Sequence, residues 1–194
     1  TGLLAMPCFH VGGTAFGLSI MHSGARVLIL EEYDPSQTLR LIEEYKIGKI
    51  FMVPSTLQML LKHPHFDKTD FSNLQFIFYG ASPIPLELMR EAITKIGCGF
   101  VQMYGMTESG GTIVALSPED HLPDSDDEKA ILRMRSVGKA MLGVEIKIID
   151  QQGKNVPNGE IGEIATRSVK NINEYWNLPE ATKAAIDDNG WLRT

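Results

Sequence analysis

The sequence predicts an α/β fold, a largely parallel sheet covered by helices, followed by a small antiparallel β-barrel-like subdomain. Three observations predict it. Up to about residue 115, short β-rich apolar runs alternate with segments of helical period. Those runs are apolar at successive positions, as strands buried on both faces must be. Beyond about residue 135 the helical period gives way to apolar–polar alternation, the mark of half-buried antiparallel strands.

Each element follows from local chemistry. Leu3–Met6 reads as a strand, Thr14–His22 as a helix closed by Gly24, and Arg26–Leu30 as a second strand. Asp34 and Pro35 supply an N-cap and a first helical residue, with Leu39, Ile42 and Tyr45 at helical spacing behind them. Ile50–Val53 is the next strand, ended by Pro54, and Ser55 can cap a short helix carrying Leu57, Leu60 and Leu61. Leu74–Tyr79 is a nearly continuous apolar run bounded by Gly80. Met89, Ala92, Ile93 and Ile96 then share one face of a helix over Leu86–Ile96, with Gly97 placed to end it in the left-handed region. Gly99–Met103 is a further strand. Val144–Ile148 alternates cleanly and Ile161–Thr166 forms a second such run, with turns at Gln152-Gly153 and Pro157-Asn158-Gly159. The chain therefore divides into an α/β part, 1–135, and a β-rich part, 136–194.

Composition narrows the function classes. With 43% hydrophobic and 22% charged residues among 194, the chain has ample material for a core. A net charge of −6 without any Lys/Arg cluster argues against a nucleic-acid partner. Cys8 and Cys98 stand far apart in no ligand spacing, which reads as free thiols in a reducing, cytoplasmic setting. No apolar run is long enough for a transmembrane segment, and no signal segment opens the chain. The acidic stretch Glu119–Glu128, with Asp124, Asp126 and Asp127, lacks the Gly and closing Glu of a calcium loop and reads as a solvated surface loop. Thr1-Gly2-Leu3-Leu4 lacks an initiator Met and Trp191–Thr194 stops without a cap, so the chain is expected to be an internal piece of a longer one.

In a parallel sheet, ligands collect outside the carboxyl ends of the strands, where helix N-termini point their amides. The loops at those ends are Pro7–Gly13, Pro54-Ser55, Gly80–Pro83 and Tyr104–Gly111. In the last, Tyr104 can stack on a flat group, Gly105 permits close backbone approach, and Thr107 offers a hydroxyl. Glu108 offers a carboxylate suited to a hard cation such as Mg²⁺. The same residues also read as a simple turn capped by Thr107, and Gly80–Pro83 as a tight turn into the following helix. His10 is a lone histidine after a strand, open to a structural or a catalytic role. The Rossmann and P-loop fingerprints are absent, as are the nucleophile elbow and a zinc ligand set.

Taken together, Tyr104-Gly105-Met106-Thr107-Glu108 resembles the Y-G-x-T-E signature of the adenylate-forming superfamily, which includes acyl-CoA synthetases, luciferases and peptide-synthetase adenylation domains. Four further segments resemble that family's motifs in its order: Pro7–Gly13 (P-x-x-H-x-x-G), Gly80–Pro83 (G-A-x-P), Gly159–Ile164 (G-E-x-G-E) and Gly190–Thr194, the start of G-W-x-x-T-G-D. Between the last two lie Tyr175-Trp176 and Pro179–Thr182. The resemblance covers essentially the whole chain and is nearest the fatty and aryl acid CoA ligases. It implies ATP, Mg²⁺ and CoA as co-substrates and cofactor, with a two-step reaction through an acyl-adenylate. Gly80, Ala81, Ser82 and Pro83 with Met103, Tyr104, Gly105, Met106 and Thr107 would bind nucleotide, Tyr104 stacking on adenine and Thr107 meeting the α-phosphate. Glu108 would hold the metal, and His10 with Gly105 would border the acyl pocket; Thr107, Glu108 and His10 form the implied catalytic set.

The departures are as informative. The family's phosphate loop would precede this chain and its ribose-binding Asp and catalytic-Lys domain would follow, so the piece is expected to be inactive alone. Arg167-Ser168 replaces Arg-Gly, and Ile172-Asn173-Glu174-Tyr175 replaces M-x-G-Y. The alternatives are an adenylation domain that loads a carrier protein, a luciferase-like oxidase, and a non-catalytic nucleotide-binding domain.

Overall fold

The computed structural model describes residues 1–194. Its first strand, β1 (Gly2–Leu4), leads to α1 (Val11–His22), which begins three residues ahead of the expected Thr14. The start lies earlier because His10 caps it, Nδ1 accepting from Gly12 N at 3.0 Å, ahead of any periodic signal. α1 is apolar on all sides: Phe16 and Ile20 are buried while Leu18 and Met21 are 58% and 63% exposed, so no clean period marks its bounds.

The next pairs are β2 (Val27–Ile29) with α2 (Pro35–Glu44) and β3 (Lys49–Met52) with α3 (Pro54–Leu61). Asp34 caps α2 as its position predicts, Oδ1 accepting from Gln37 N at 2.6 Å. Ser55 is not the cap of α3. Pro54 is already the first helical residue, so Val53 takes the cap position and its N–H donates to Thr56 Oγ1 at 3.1 Å. β4 (Phe76–Gly80) and α4 (Leu86–Ile96) follow, the latter closed by Gly97 at φ 72°.

β5 (Gly99–Met106) runs three residues past its expected end at Met103, and β6 (Gly111–Leu116) was not anticipated at all. Glycines at both ends of the intervening turn disguise a hairpin as a loop. Two short helices were also missed, α5 (Glu128–Met134) and α6 (Pro179–Ala185); at seven residues each they are too short to display a period. β7 (Lys139–Ala140), β8 (Glu145–Ile149), β9 (Glu163–Arg167) and β10 (Leu192–Arg193) complete the chain.

Seven strands form one sheet in the order β2-β1-β3-β4-β5-β6-β7, and β8 to β10 form a second in the order β10-β9-β8. β1 to β5 pair in parallel, with Ile50 opposite Ile77 and Phe78 opposite Val101. The four-residue link from β5 to β6 is too short for a parallel crossover. The second sheet is antiparallel throughout, with Ile146 opposite Thr166. The expected largely parallel sheet and the separate antiparallel one are both present.

The chain resolves into two compact units that interleave in sequence. The first comprises Thr1–Tyr104 and Ala115–Gly138, the second Gly105–Val114 and Lys139–Thr194. The hairpin 105–114 thus groups with the β-rich end of the chain.

Within the first unit, strand alternation splits the core between the two faces of the sheet. Ile50 and Ile77 join Leu39, Ile42, Leu57, Leu60 and Met89 in one cluster, while Phe51 and Phe78 join Leu4, Phe16 and Met103 in the other. Each fully buried isoleucine among them stabilises the fold by about 1.5–3 kcal/mol.

One polar pair lies in this interior. Tyr79 and His121 are 1% and 6% exposed, with the phenol oxygen 2.9 Å from Nε2. Nδ1 lies 2.7 Å from the Ser117 carbonyl, which fixes the ring proton there and leaves Nε2 to accept from the Tyr79 hydroxyl. Burial pushes the His121 pKa below its ordinary value, against the weaker opposing pull of the Ser117 carbonyl, Asp120 and Glu119. The unfolded chain therefore binds more protons than the folded one in acid, and stability is lost as pH falls from about 6.5 toward the lowered folded value. Urea unfolding of the protein at about pH 7.5 and about pH 5.5 should show this loss, and His121→Asn should abolish the slope attributable to this residue.

Candidate functional site

In the first unit, the parallel register sets Gly80 at the end of β4 opposite Met103 of β5. The approach is so close that a Cβ on Gly80 would lie 2.1 Å from the Met103 carbonyl oxygen. Only glycine lets the two strands meet here. Ala81 follows in the left-handed region at φ 67°, a conformation that costs an L-residue about 1–2 kcal/mol. That kink turns Ser82 and Pro83 outward, and both are exposed. The 80–83 segment is therefore a strained strand-end turn that leads into α4. Met103 packs into the apolar cluster with Phe16 and Phe51, and half-buried Tyr104 points to the opposite face of the sheet.

His10 stands at the end of a tight turn in the same unit, with His10 N donating to the Pro7 carbonyl at 3.1 Å and Gly13 N to the His10 carbonyl at 3.0 Å. Gly13 is obligatory, since a Cβ there would sit 2.1 Å from the Pro7 oxygen. Because Nδ1 accepts the capping bond, the neutral ring carries its proton on Nε2, and the residue is exposed. The structural reading of His10 thus holds for one ring nitrogen and leaves the other available.

The second unit holds the remainder of the signature. A Cβ on Gly105 would lie 2.0 Å from the Gly111 oxygen, so the hairpin's own backbone closes against that side of the glycine. Residues Thr107–Ser109 form a 3-10 turn, and its capping hydroxyl is that of Ser109, not Thr107. Ser109 is fully buried; its Oγ accepts from Met106 N at 3.0 Å and lies 2.7 Å from the Gly111 oxygen. Ser109 was missed because a serine in a Gly-rich loop carries no sequence signal of burial. Thr107, freed of that duty, presents its hydroxyl at the surface.

Glu108 is half-buried and held twice by one distant segment. Its backbone oxygen accepts from Ile172 N at 2.7 Å, and its carboxylate Oε1 accepts from the Tyr175 hydroxyl at 2.9 Å. The hydrogen bond to that carboxylate holds the Tyr175 phenol above its ordinary pKa. No three His, Cys, Asp or Glu side chains gather as a metal cluster. A lone carboxylate nevertheless fits Mg²⁺, which takes one or two protein carboxylates and completes its shell with water and phosphate; Oε2 of Glu108 is the oxygen left for it.

Elsewhere in the second unit, β9 and β10 are pinned by ion pairs. Arg167 meets both carboxylate oxygens of Glu145 at 2.9 Å, and Arg193 meets Glu163 at 2.9 Å. Lys147 and Arg167 both approach Trp191, with the cations 4.3 and 4.8 Å from its ring centroid. A hollow of about 570 Å³ lies beside Arg167, Asn171 and Ile186 and includes none of the residues expected to bind nucleotide.

The AMP-binding enzyme family matches residues 1–176. A medium/long-chain fatty acid–CoA ligase of Mycobacterium tuberculosis is 37% identical over 99% of this chain and 32% of its own length. A fatty acid–acyl-carrier-protein ligase of Streptomyces coeruleorubidus is 33% identical over 99% of this chain and 36% of its own. Among solved structures, an amide bond synthetase of Marinactinospora thermotolerans superposes with a TM-score of 0.87 at 32% identity, covering 99% of this chain and 37% of that one. The chain spans about a third of the length of the curated relatives it matches.

The strain at Ala81 is testable by itself. Relieving about 1–2 kcal/mol of left-handed strain, less about 0.4–1 kcal/mol for glycine's freer unfolded chain, Ala81→Gly should raise unfolding free energy by about 0.5–1 kcal/mol in denaturant titration.

Proposed function

The chain belongs to the AMP-binding enzyme family, and from that premise we propose that the whole protein activates a carboxylic acid with ATP and transfers the acyl group to CoA. The observation that carries this reading is the Thr107-Glu108 turn, which presents an unengaged hydroxyl and an oriented, half-buried carboxylate within the five-residue segment that carries the family resemblance. In the first step a carboxylate oxygen attacks the α-phosphorus of ATP, the bond to the β-phosphate oxygen breaks, and pyrophosphate leaves. In the second, the CoA thiol attacks the acyl carbonyl carbon, gives up its proton, and AMP departs.

The residues divide the work by position. Tyr104 supplies a ring for adenine to stack on, and Ala81, Ser82 and Pro83 present a backbone already turned outward to line the base. Gly80 lets β4 close against Met103 and Gly105 lets the hairpin close against Gly111, while Met103 and Met106 complete the proposed nucleotide-binding set. Thr107 donates to an α-phosphate oxygen, where charge accumulates as pyrophosphate leaves. Glu108 is the carboxylate for Mg²⁺, which when bound neutralises phosphate oxygens. His10, its Nε2 proton directed away from the helix it caps, is a donor for the acyl carboxylate.

CoA is favoured as acceptor by the likeness to the fatty acid–CoA ligase. Likeness to the acyl-carrier-protein ligase supports a second reading in which a carrier's thiol takes the acyl group. Offering the full-length enzyme both acceptors separates the two.

In the full-length protein, Glu108→Ala should depress acid-dependent ATP–pyrophosphate exchange by several orders of magnitude. Asp126→Ala should leave it unchanged, because that side chain is fully exposed and reaches only Arg90, at 4.0 Å. Near-normal exchange in the Glu108 variant would remove the metal assignment.

A further inference from the structure

Residues 170–175 are tied to the hairpin 105–114 at three points, all within the second unit. Lys170 Nζ donates to the Thr112 carbonyl, Ile172 N donates to the Glu108 carbonyl at 2.7 Å, and the Tyr175 hydroxyl donates to Glu108 Oε1 at 2.9 Å. A fourth close approach reinforces them: a Cβ on Gly110 would lie 2.5 Å from the Lys170 oxygen, so the hairpin turn fits against this segment only as glycine.

Tyr175 is itself fixed from behind. Its N–H donates to Thr182 Oγ1 at 2.9 Å, its carbonyl accepts from Leu178 N at 3.0 Å, and Thr182 Oγ1 in turn donates to the Leu178 carbonyl at 3.0 Å. The first turn of α6 thus clamps the tyrosine backbone while the phenol reaches forward to the carboxylate. The ring is only half-buried, so packing alone does not account for its placement. A carboxylate on an exposed turn is otherwise free to rotate about its side-chain bonds. Held at its main-chain oxygen and at one carboxylate oxygen by the same segment, Glu108 has its second oxygen, Oε2, left in one direction.

We infer that Tyr175 is a positioning residue that orients the Glu108 carboxylate, leaving Oε2 to meet a divalent cation, with segment 170–175 as the strap that carries it. The inference rests on the reading of Glu108 as the magnesium ligand. Ligating carboxylates depend on such outer partners, whose removal costs about 10–100-fold in metal affinity. Tyr175 also explains a sequence oddity: Ile172-Asn173-Glu174 departs from the family's residues, yet the aromatic hydroxyl at its end is kept.

The test is direct cation binding, with Mn²⁺ as a paramagnetic probe and α,β-methylene-ATP as the nucleotide. Free Mn²⁺ is measured by electron paramagnetic resonance in the full-length protein and in its Tyr175→Phe and Glu108→Ala variants. Tyr175→Phe should weaken Mn²⁺ binding by about 10–100-fold with the thermal midpoint unchanged. Nucleotide affinity at saturating Mn²⁺ should match the parent's, a split that general unfolding would not produce. Unchanged Mn²⁺ affinity in Tyr175→Phe beside weakened binding in Glu108→Ala would overturn the positioning role and leave the metal assignment standing. Unchanged affinity in both variants would overturn both.

Discussion

Parallel pairing of β4 with β5 is the constraint on which the candidate site depends. Because the two strands run the same way and Gly80 faces Met103, the 81–83 turn and Tyr104 are brought to one edge of the first unit's sheet. The pairing is enforced by sterics, since any side chain at Gly80 would collide with the Met103 carbonyl. It is supported from both faces, by Ile77 and Phe100 packed on one side and Phe78 and Met103 on the other. Ala81, directly after that close approach, takes a left-handed conformation at φ 67°.

Electrostatics adds little to this frame and much to the chemistry. The interior of the first unit spends its one buried histidine on Tyr79, a neutral pair that burial keeps neutral. The second unit instead places its charges near the surface in pairs, Arg167 with Glu145 and Arg193 with Glu163, which fix β8 to β10 without isolating any charge. Glu108 differs from both sets. Its partner is a neutral phenol, so the carboxylate is oriented and its charge remains uncompensated.

Much of this was legible in the sequence because its signals are local. Asp34-Pro35 and Gly97 mark helix ends by chemistry confined to a few residues, and both act as read. The alternation of Val144–Ile148 likewise declared a strand, which runs over Glu145–Ile149. What escaped depends on the fold. β6 hides because the glycines at 110 and 111, needed at φ 65° and 95°, look like a loop. The close approach of Gly105 to Gly111 is set by the hairpin, which the sequence does not announce. Thr107 and Ser109 are equally good caps in sequence, and only burial selects Ser109. The bond from Tyr175 to Glu108 spans 67 positions, beyond any periodic or capping signal.

A crystal structure of the full-length protein with a non-hydrolysable acyl-sulfamoyl adenosine tests most directly the proposed adenine site at Tyr104 and the 81–83 turn. Density for the adenine ring against Tyr104 and the 81–83 turn is the predicted result. Adenosine bound elsewhere, with Tyr104 touching no base, would contradict it.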